Sequence, residues 1–331
     1  MTHEHTQRLH ATAQTMVAPP RGILAADESP GTMSQRLQGV GVEPSPTARR
    51  DYREMLLTTP GLAESVSGVI LADETFNQEL SDGRSVPQAC QDAGVLAGIK
   101  VDTGAKPLAF TPGETVTEGL DGLRDRLKDY AARGAAFAKW RAALALDTQL
   151  PSERAVLVNA HALARYAALC QEAGIVPIVE PELLMDGDHG LERCAQATSY
   201  VLEAVFGQLR AQGVDLAGIV LKPNMVVAGL ACPQQPSAQE VAEATLAVLR
   251  AHVPDDVPGI AFLSGGQRPE VATANLAAIA VQDTPWKITF SFGRALVDPA
   301  LRAWAGDPAR WQDGQGALDE RVRANAGVLA A

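Results

Sequence analysis

Gly218-Ile219-Val220-Leu221-Lys222-Pro223-Asn224-Met225 reads as a short buried strand that ends on a lysine. The apolar run is too brief for a helix and is bounded by Gly218 and Pro223. Pro223 has no N–H for the next sheet hydrogen bond, and it biases Lys222 towards extended backbone. An ammonium at the end of an apolar strand is costly unless it is paired or neutral, and a neutral lysine is a nucleophile. Of the 28 lysine and arginine residues only Lys100, Lys106, Lys128, Lys139, Lys222 and Lys287 are lysine. Arginine therefore does most of the surface solvation. Lys100, Lys139 and Lys222 each end or follow an apolar, strand-like run. One such lysine is ordinary snorkelling; three indicate a site.

Working outward, the same pattern recurs. Gly22 to Asp27 and Gly68 to Asp73 are apolar runs that end in an acid, and Val95 to Val101 carries Lys100 and leads to Asp102. Ala136 to Arg141 contains Lys139, and Ile175 to Val179 runs into Glu180-Pro181-Glu182. Gly259 to Leu263 precedes Ser264-Gly265-Gly266, and Lys287 to Phe292 precedes Gly293-Arg294. Between these runs the sequence predicts helices over 46–58, 114–133, 154–172, 191–211, 238–251 and 269–280. Ser237 and Glu240 form a capping box before the fifth, and Leu120, Leu123 and Leu127 share one face of the second. Eight strands alternating with helices imply parallel pairing and right-handed crossovers, hence a closed (β/α)8 TIM barrel of α/β class. A doubly wound open sheet would announce a glycine-rich phosphate loop after an early strand, and no such motif is present. No linker divides the chain, so one barrel over 1–331 is expected, with an N-terminal helical segment over 5–17 and closing helices over 298–328.

The chain has 331 residues, 46% of them hydrophobic and 20% charged, which suits a globular protein with a large core. A net charge of −11 argues against general affinity for nucleic acid or an anionic membrane. Cys90, Cys170, Cys194 and Cys232 form no CxxC pair and read as reduced thiols of a cytoplasmic protein. No signal-peptide region and no membrane-length apolar run is found.

In a barrel the active site lies at the C-terminal ends of the strands. Those positions hold Asp27, Asp73, Lys100 with Asp102, Lys139 with Arg141, Glu180 with Glu182, Lys222, Ser264 and Arg294. The two-residue period of a strand puts Lys139 and Arg141 on one face, and likewise Glu180 and Glu182. A Schiff-base lysine must lose its proton, which burial and a neighbouring cation such as Lys139 favour. Forming and dehydrating a carbinolamine needs proton donors and acceptors, which Glu180 or Glu182 supply. Asp27 can accept a substrate hydroxyl proton as a carbon–carbon bond breaks. Ser264-Gly265-Gly266 and Gly293-Arg294 offer backbone N–H groups and a cation for a phosphate. Ser29, Thr32 and Lys100 offer a second such place on the opposite side.

Here the sequence meets a family. Gly-Ile-Leu-Ala-Ala-Asp-Glu-Ser (22–29), Ile-Lys-Val-Asp (99–102), Phe-Ala-Lys-Trp-Arg (137–141), Ile-Val-Glu-Pro-Glu (178–182), Leu-Lys-Pro-Asn-Met (221–225), Phe-Leu-Ser-Gly-Gly-Gln (262–267) and Ser-Phe-Gly-Arg-Ala-Leu (291–296) closely resemble the class I fructose-bisphosphate aldolases. The resemblance runs in order from about residue 15 to residue 325. It implies an (α/β)8 barrel lyase, without a cofactor or metal, that cleaves fructose 1,6-bisphosphate reversibly to dihydroxyacetone phosphate and glyceraldehyde 3-phosphate in glycolysis and gluconeogenesis. It further implies Lys222 as the Schiff-base lysine, Glu180 as the acid/base of imine formation and Asp27 as the group handling the C4 hydroxyl proton. Lys139 and Glu182 would be further catalytic groups. Ser264, Gly265, Gly293 and Arg294 would bind the 1-phosphate, Ser29, Thr32, Arg36 and Lys100 the 6-phosphate, and Arg141 the sugar. A homo-oligomer, tetramer or dimer, is the family's habit.

Three departures stand out. Gln35 replaces a lysine often found beside Arg36, and Thr103 replaces one after Asp102. Animal members end in a tail whose tyrosine helps protonate the product enamine, whereas this sequence runs to Ala331 with tyrosines only at 52, 130, 166 and 200. The expectation is that an internal group, Glu180 or Lys139, protonates the enamine. Asp186-Gly187-Asp188-His189 faintly suggests a metal loop but reads better as a solvated turn. Asp73 reads as a strand-end acid and Trp140 as packing. The rival readings are a Schiff-base aldolase or transaldolase for another phosphorylated sugar, and a non-catalytic scaffold, which would be expected to have lost Lys222, Glu180 or Asp27.

Overall fold

The computed structural model describes residues 3–330. Met1, Thr2 and Ala331 lie outside it, and with Ala331 the chain end on which the enamine expectation turns. Eight parallel strands close into a barrel: β1 (Gly22–Ala26), β2 (Val66–Leu71), β3 (Leu96–Lys100), β4 (Phe137–Leu144), β5 (Val176–Leu183), β6 (Val220–Leu221), β7 (Gly259–Phe262) and β8 (Lys287–Phe292). Each strand pairs with its neighbours in sequence, and β1 closes on β8 through Ile23↔Ser291 and Leu24↔Phe292.

The strand phase explains how one barrel holds both a dry core and a charged mouth. Inward positions low in the barrel are apolar: Ile23, Ile70, Phe137, Val176, Ile178 and Val220 meet there. Leu9, Ala13 and Met16 of the helix His3–Met16 plug this floor from below. The same inward phase continues upward as Asp27 after β1, Lys139 and Arg141 on β4, Glu180 and Glu182 on β5, and Lys222 after β6. Glycine makes room at the floor. The Phe137 ring lies where a side chain at Gly98 would be, and it crowds Gly68 as well. Outward positions form the larger core between strands and helices. Trp140 belongs to it: fully buried, its ring is 5.6 Å from that of Tyr166 on the helix Glu153–Glu172.

Several boundaries differ from the sequence reading. The helix expected over 114–133 begins only at Leu123. Thr115–Thr117 instead pairs antiparallel with Ala105–Pro107 as a small hairpin. Its β-branched residues favour a strand, and Gly119 and Gly122 have φ of 128° and 68°, which stop any helix from reaching back past them. Leu120 still packs on the core. The Lys222 strand is shorter than expected, because Leu216–Gly218 is a 3-10 turn. The ladder nonetheless reaches one residue beyond β6, where the Lys222 N–H donates to Val179 O at 2.8 Å. Helix Arg294–Trp304 starts directly after β8, four residues before the closing helices were expected, and Trp311–Leu329 follows. Ser237 and Glu240 do form the capping box.

Candidate active site

Asp73 apart, the site residues singled out from the sequence line one cavity of about 630 Å³ at the C-terminal mouth of the barrel. Its centre is a line of alternating charges. Lys222 Nζ lies 3.1 Å from Glu180 Oε1, Lys139 Nζ lies 3.2 Å from Glu180 Oε2, and Lys139 Nζ lies 2.7 Å from Asp27 Oδ2. Lys222, Lys139 and Glu180 are each no more than 4% exposed. Groups this deep are tolerable only because each faces an opposite charge; removing one member of a buried pair typically costs about 3–5 kcal/mol.

The electrostatics follow from that order. Burial pushes the Asp27 carboxyl up, but Lys139 and Lys222 outweigh it and hold Asp27 well below the usual carboxylate range. Glu180 is lowered in the same way, burial being overcome by Lys139, Lys222 and Arg141. Burial alone would lower Lys139, yet Asp27 and Glu180 raise it. Both acids therefore stand as carboxylates, able to accept protons, and Lys139 is a fixed cation between them. Glu182 takes a different partner: Arg141 Nε donates to its Oε2 at 2.5 Å. Against the cost of burial, Glu182 raises the Arg141 guanidinium still further.

Around this centre the rim is cationic and rich in backbone donors. After β7, Ser264 is followed by Gly265 and Gly266 with φ of 58° and 91°, and a turn of that shape needs glycine. The Arg294 guanidinium rests on it, with Nη2 3.0 Å from where a Gly266 side chain would begin. After β1, Ser29 caps the helix Pro30–Gly39, its Oγ accepting from the Thr32 N–H at 3.2 Å. That places a helix N-terminus at the cavity, a natural seat for an anion. Lys100 Nζ lies 3.6 Å from Asp102, which also accepts from the Gly104 N–H at 3.1 Å. Arg36 donates to Glu28 and lies 3.5 Å from Asp298. The two groups oppose each other across the mouth in part: Lys100, on β3, stands four strands round the barrel from Ser264, after β7. β1 is hydrogen-bonded to β8, so the Ser29 turn is the neighbour of the Arg294 turn, and only Lys100, on β3, stands apart.

The cavity also contains residues to which the sequence reading gave no role. Glu28, next to Asp27, pairs with Arg36 and with Arg53 Nη2 at 2.5 Å, and so fixes the position of Arg36. Asp102, named only as a strand-end acid beside Lys100, also lines the cavity. Ser291 lines the cavity with a buried Oγ that has no hydrogen-bond partner among the described residues. Its position two residues before Gly293 on an inward strand phase was the available signal. Thr117, from the unforeseen hairpin, gave none.

Other features fall outside the cavity. Asp73 opens a one-turn helix and accepts from the Tyr130 hydroxyl at 2.5 Å. Tyr52 and Tyr166 are buried and Tyr200 is exposed on the helix Leu191–Ala211; among the described residues no tyrosine lines the cavity. Asp186 and Asp188 face solvent, and among the described residues no cluster of three His, Cys, Asp or Glu side chains is disposed to hold a metal. Among the same residues, no helix is long and apolar enough to cross a membrane.

Comparison with known proteins agrees over the whole barrel. A family model described as fructose-bisphosphate aldolase class-I matches residues 8–330. A probable fructose-bisphosphate aldolase class 1 of Xanthomonas campestris pv. campestris is 50% identical over 321 residues, covering 96% of each chain. Fructose-bisphosphate aldolase C of Carassius auratus is 50% identical over 309 residues, 92% of this chain and 85% of that one. The solved fructose-bisphosphate aldolase of Plasmodium falciparum, in a complex with TRAP and a small-molecule inhibitor, superposes with a TM-score of 0.97 at 41% identity, covering 99% of this chain and 96% of that one.

Proposed function

The chain belongs to the class-I fructose-bisphosphate aldolase family, and from that premise we propose that Lys222 forms the Schiff base through which it cleaves fructose 1,6-bisphosphate. It is a carbon–carbon lyase, and its reversible retro-aldol reaction yields dihydroxyacetone phosphate and glyceraldehyde 3-phosphate.

The observation that carries the residue roles is the buried order Asp27, Lys139, Glu180, Lys222. Lys222 Nζ gives a proton to Glu180 and adds to the C2 carbonyl carbon. Glu180 returns the proton to the carbinolamine oxygen, which leaves as water, and the protonated imine remains. Asp27 then takes the proton of the C4 hydroxyl, the electrons of the C3–C4 bond move to C3, and the imine becomes an enamine as the aldehyde departs. Lys139 stabilises the negative charge that passes between Asp27 and Glu180. The proton taken by Asp27 is relayed through Lys139, which touches both acids, so that an internal acid, Glu180 or Lys139, delivers a proton to C3 while Asp27 returns to its carboxylate; hydrolysis of the imine then frees Lys222. Glu182 orients Arg141 towards the sugar hydroxyls through their 2.5 Å bond, and the partnerless Ser291 hydroxyl is a donor for the bound chain of carbons. Ser264, Gly265, Gly293 and Arg294 hold the 1-phosphate, and Ser29, Thr32, Arg36 and Lys100 the 6-phosphate.

Borohydride reduction with dihydroxyacetone phosphate, in EDTA, followed by peptide mass mapping tests this directly. A stable adduct on Lys222 is expected. An adduct on another lysine would reassign the nucleophile, and no adduct with activity abolished by EDTA would end the imine mechanism.

The four free cysteines suit a reducing compartment, and we place the enzyme in the cytoplasm. The helices Glu153–Glu172 and Leu191–Ala211 pack together and leave Leu157 and Tyr200 44% and 38% exposed, a face suited to a second copy in a homo-oligomer. A monomeric mass in light scattering would count against that.

A further inference from the structure

Arg294 faces two cavities. Behind the substrate cavity lies another of about 410 Å³, walled by Gly266, Arg268, Arg294, Asp298 and Arg302. That volume lies within the range of small-ligand sites, about 300–1,000 Å³. The three arginines are exposed, and among the described residues none of them is in an ion pair. Three unpaired guanidinium groups around one hollow repel one another, and in a protein of net charge −11 arginines are not short of possible partners. Arg294 and Arg302 lie on one helix, eight residues apart, about 12 Å along its axis. Among the described residues the one carboxylate in the wall is Asp298, halfway between them; it lies 3.5 Å from Arg36 and also feels both Arg294 and Arg302, one acid against three guanidinium groups. Each guanidinium binds phosphate oxygens in pairs, so three of them around one hollow offer more donors than a single phosphate takes up, and an anion with two or more phosphate groups suits them better.

We propose that this second cavity binds a small anion carrying two or more phosphate groups, and that its occupant draws Arg294 away from the substrate. The guanidinium lies on Gly266, at the wall common to both cavities, so it can serve one phosphate at a time. Occupation of the second cavity therefore weakens substrate binding without touching Lys222, Glu180 or Asp27. The inhibitory part of this inference rests on the reading of Arg294 as a ligand of the substrate phosphate; the binding part does not.

Inorganic pyrophosphate is the probe. Calorimetric titration of the wild-type protein is compared with Arg268→Ala, Arg302→Ala, their double variant and Asp298→Asn, none of which alters a residue placed in the catalytic or substrate-binding machinery. The double variant is expected to bind at least tenfold more weakly, and Asp298→Asn, which removes the opposing charge, severalfold more tightly. Each single arginine variant serves as a check should the double one fail to fold. Kinetically, pyrophosphate is expected to raise KM for the sugar bisphosphate in the wild type, with an inhibition constant at least tenfold higher in the double variant. Less than a threefold change in binding by the double variant overturns the proposal and places pyrophosphate in the catalytic cavity. Because titration needs no turnover, that failure is distinct from any failure of the lyase reading.

Discussion

Lys139 is the residue on which the charge balance of the site turns. Among the described residues it is the one cation paired with both carboxylates, 2.7 Å from Asp27 and 3.2 Å from Glu180. Replacing it with Met leaves Asp27 and Glu180 buried with Lys222 as the remaining cation of the line. Burial then counts for more, and both acids rise. The acid limb of kcat/KM is expected to move up by a pH unit or more, and kcat to fall by about 10²–10⁴. A rate profile whose acid limb stays in place would show that Lys139 does not set these carboxyls. Stability follows the same sign. The folded values of Asp27 and Glu180 lie below their ordinary 3.8 and 4.5, so their contribution is present above those values and is lost as pH falls through the lower folded ones. Lys139 is raised, so its contribution is complete below its ordinary 10.5 and is lost only as pH climbs through the folded value. The wild type should thus resist acid unfolding near pH 4 better than Lys139→Met, as followed by circular dichroism.

At the scale of elements, the floor of the barrel sets the height at which the charges emerge. Gly98 pairs with Phe137, and the Phe137 ring fills the space that any side chain at 98 would need. Lys100 stands two residues above Gly98, and Lys139 two above Phe137, on the same inward phase. Gly98→Ala must displace the ring or the strand, and overpacking of this kind costs typically about 1–3 kcal/mol. A lower melting temperature and a raised KM are expected together; an unchanged melting temperature would mean that the floor yields freely. The sequence revealed these strands because inward apolar residues and terminal charges obey a two-residue period, as in Ile178, Glu180 and Glu182. It hid the hairpin of Ala105–Pro107 and Thr115–Thr117 because two three-residue strands are too short to show a period, and the leucines at 120, 123 and 127 mimicked a longer helix. Ser291 was hidden for another reason: a serine inside an apolar strand is unremarkable until its hydroxyl proves to be buried, partnerless and in the cavity.

For the whole molecule, closure of the barrel decides which cationic turns stand side by side at the mouth. Linear sequence separates Ser29 from Arg294 by most of the chain, yet β1 and β8 are hydrogen-bonded neighbours. Arg36 even reaches Asp298, one helical turn beyond Arg294. The Ser29 and Arg294 turns thus adjoin at the rim, which no local motif could have revealed. Lys100 is the exception: it reaches the cavity from β3, and its carboxylate neighbour Asp102, at 3.6 Å, is too far for a direct hydrogen bond. An ammonium so placed is open to a phosphate. If it holds the 6-phosphate, its loss should harm only substrates that carry one. Lys100→Ala is expected to lower kcat/KM for fructose 1,6-bisphosphate by about 10–100-fold, the range of a charge-assisted hydrogen bond of ~1.5–3 kcal/mol. For fructose 1-phosphate the change should stay within about twofold, so that the preference for the bisphosphate collapses. Equal losses on both substrates would instead place Lys100 among the groups that act at the reacting carbons, through Asp27, whose carboxyl it helps to lower.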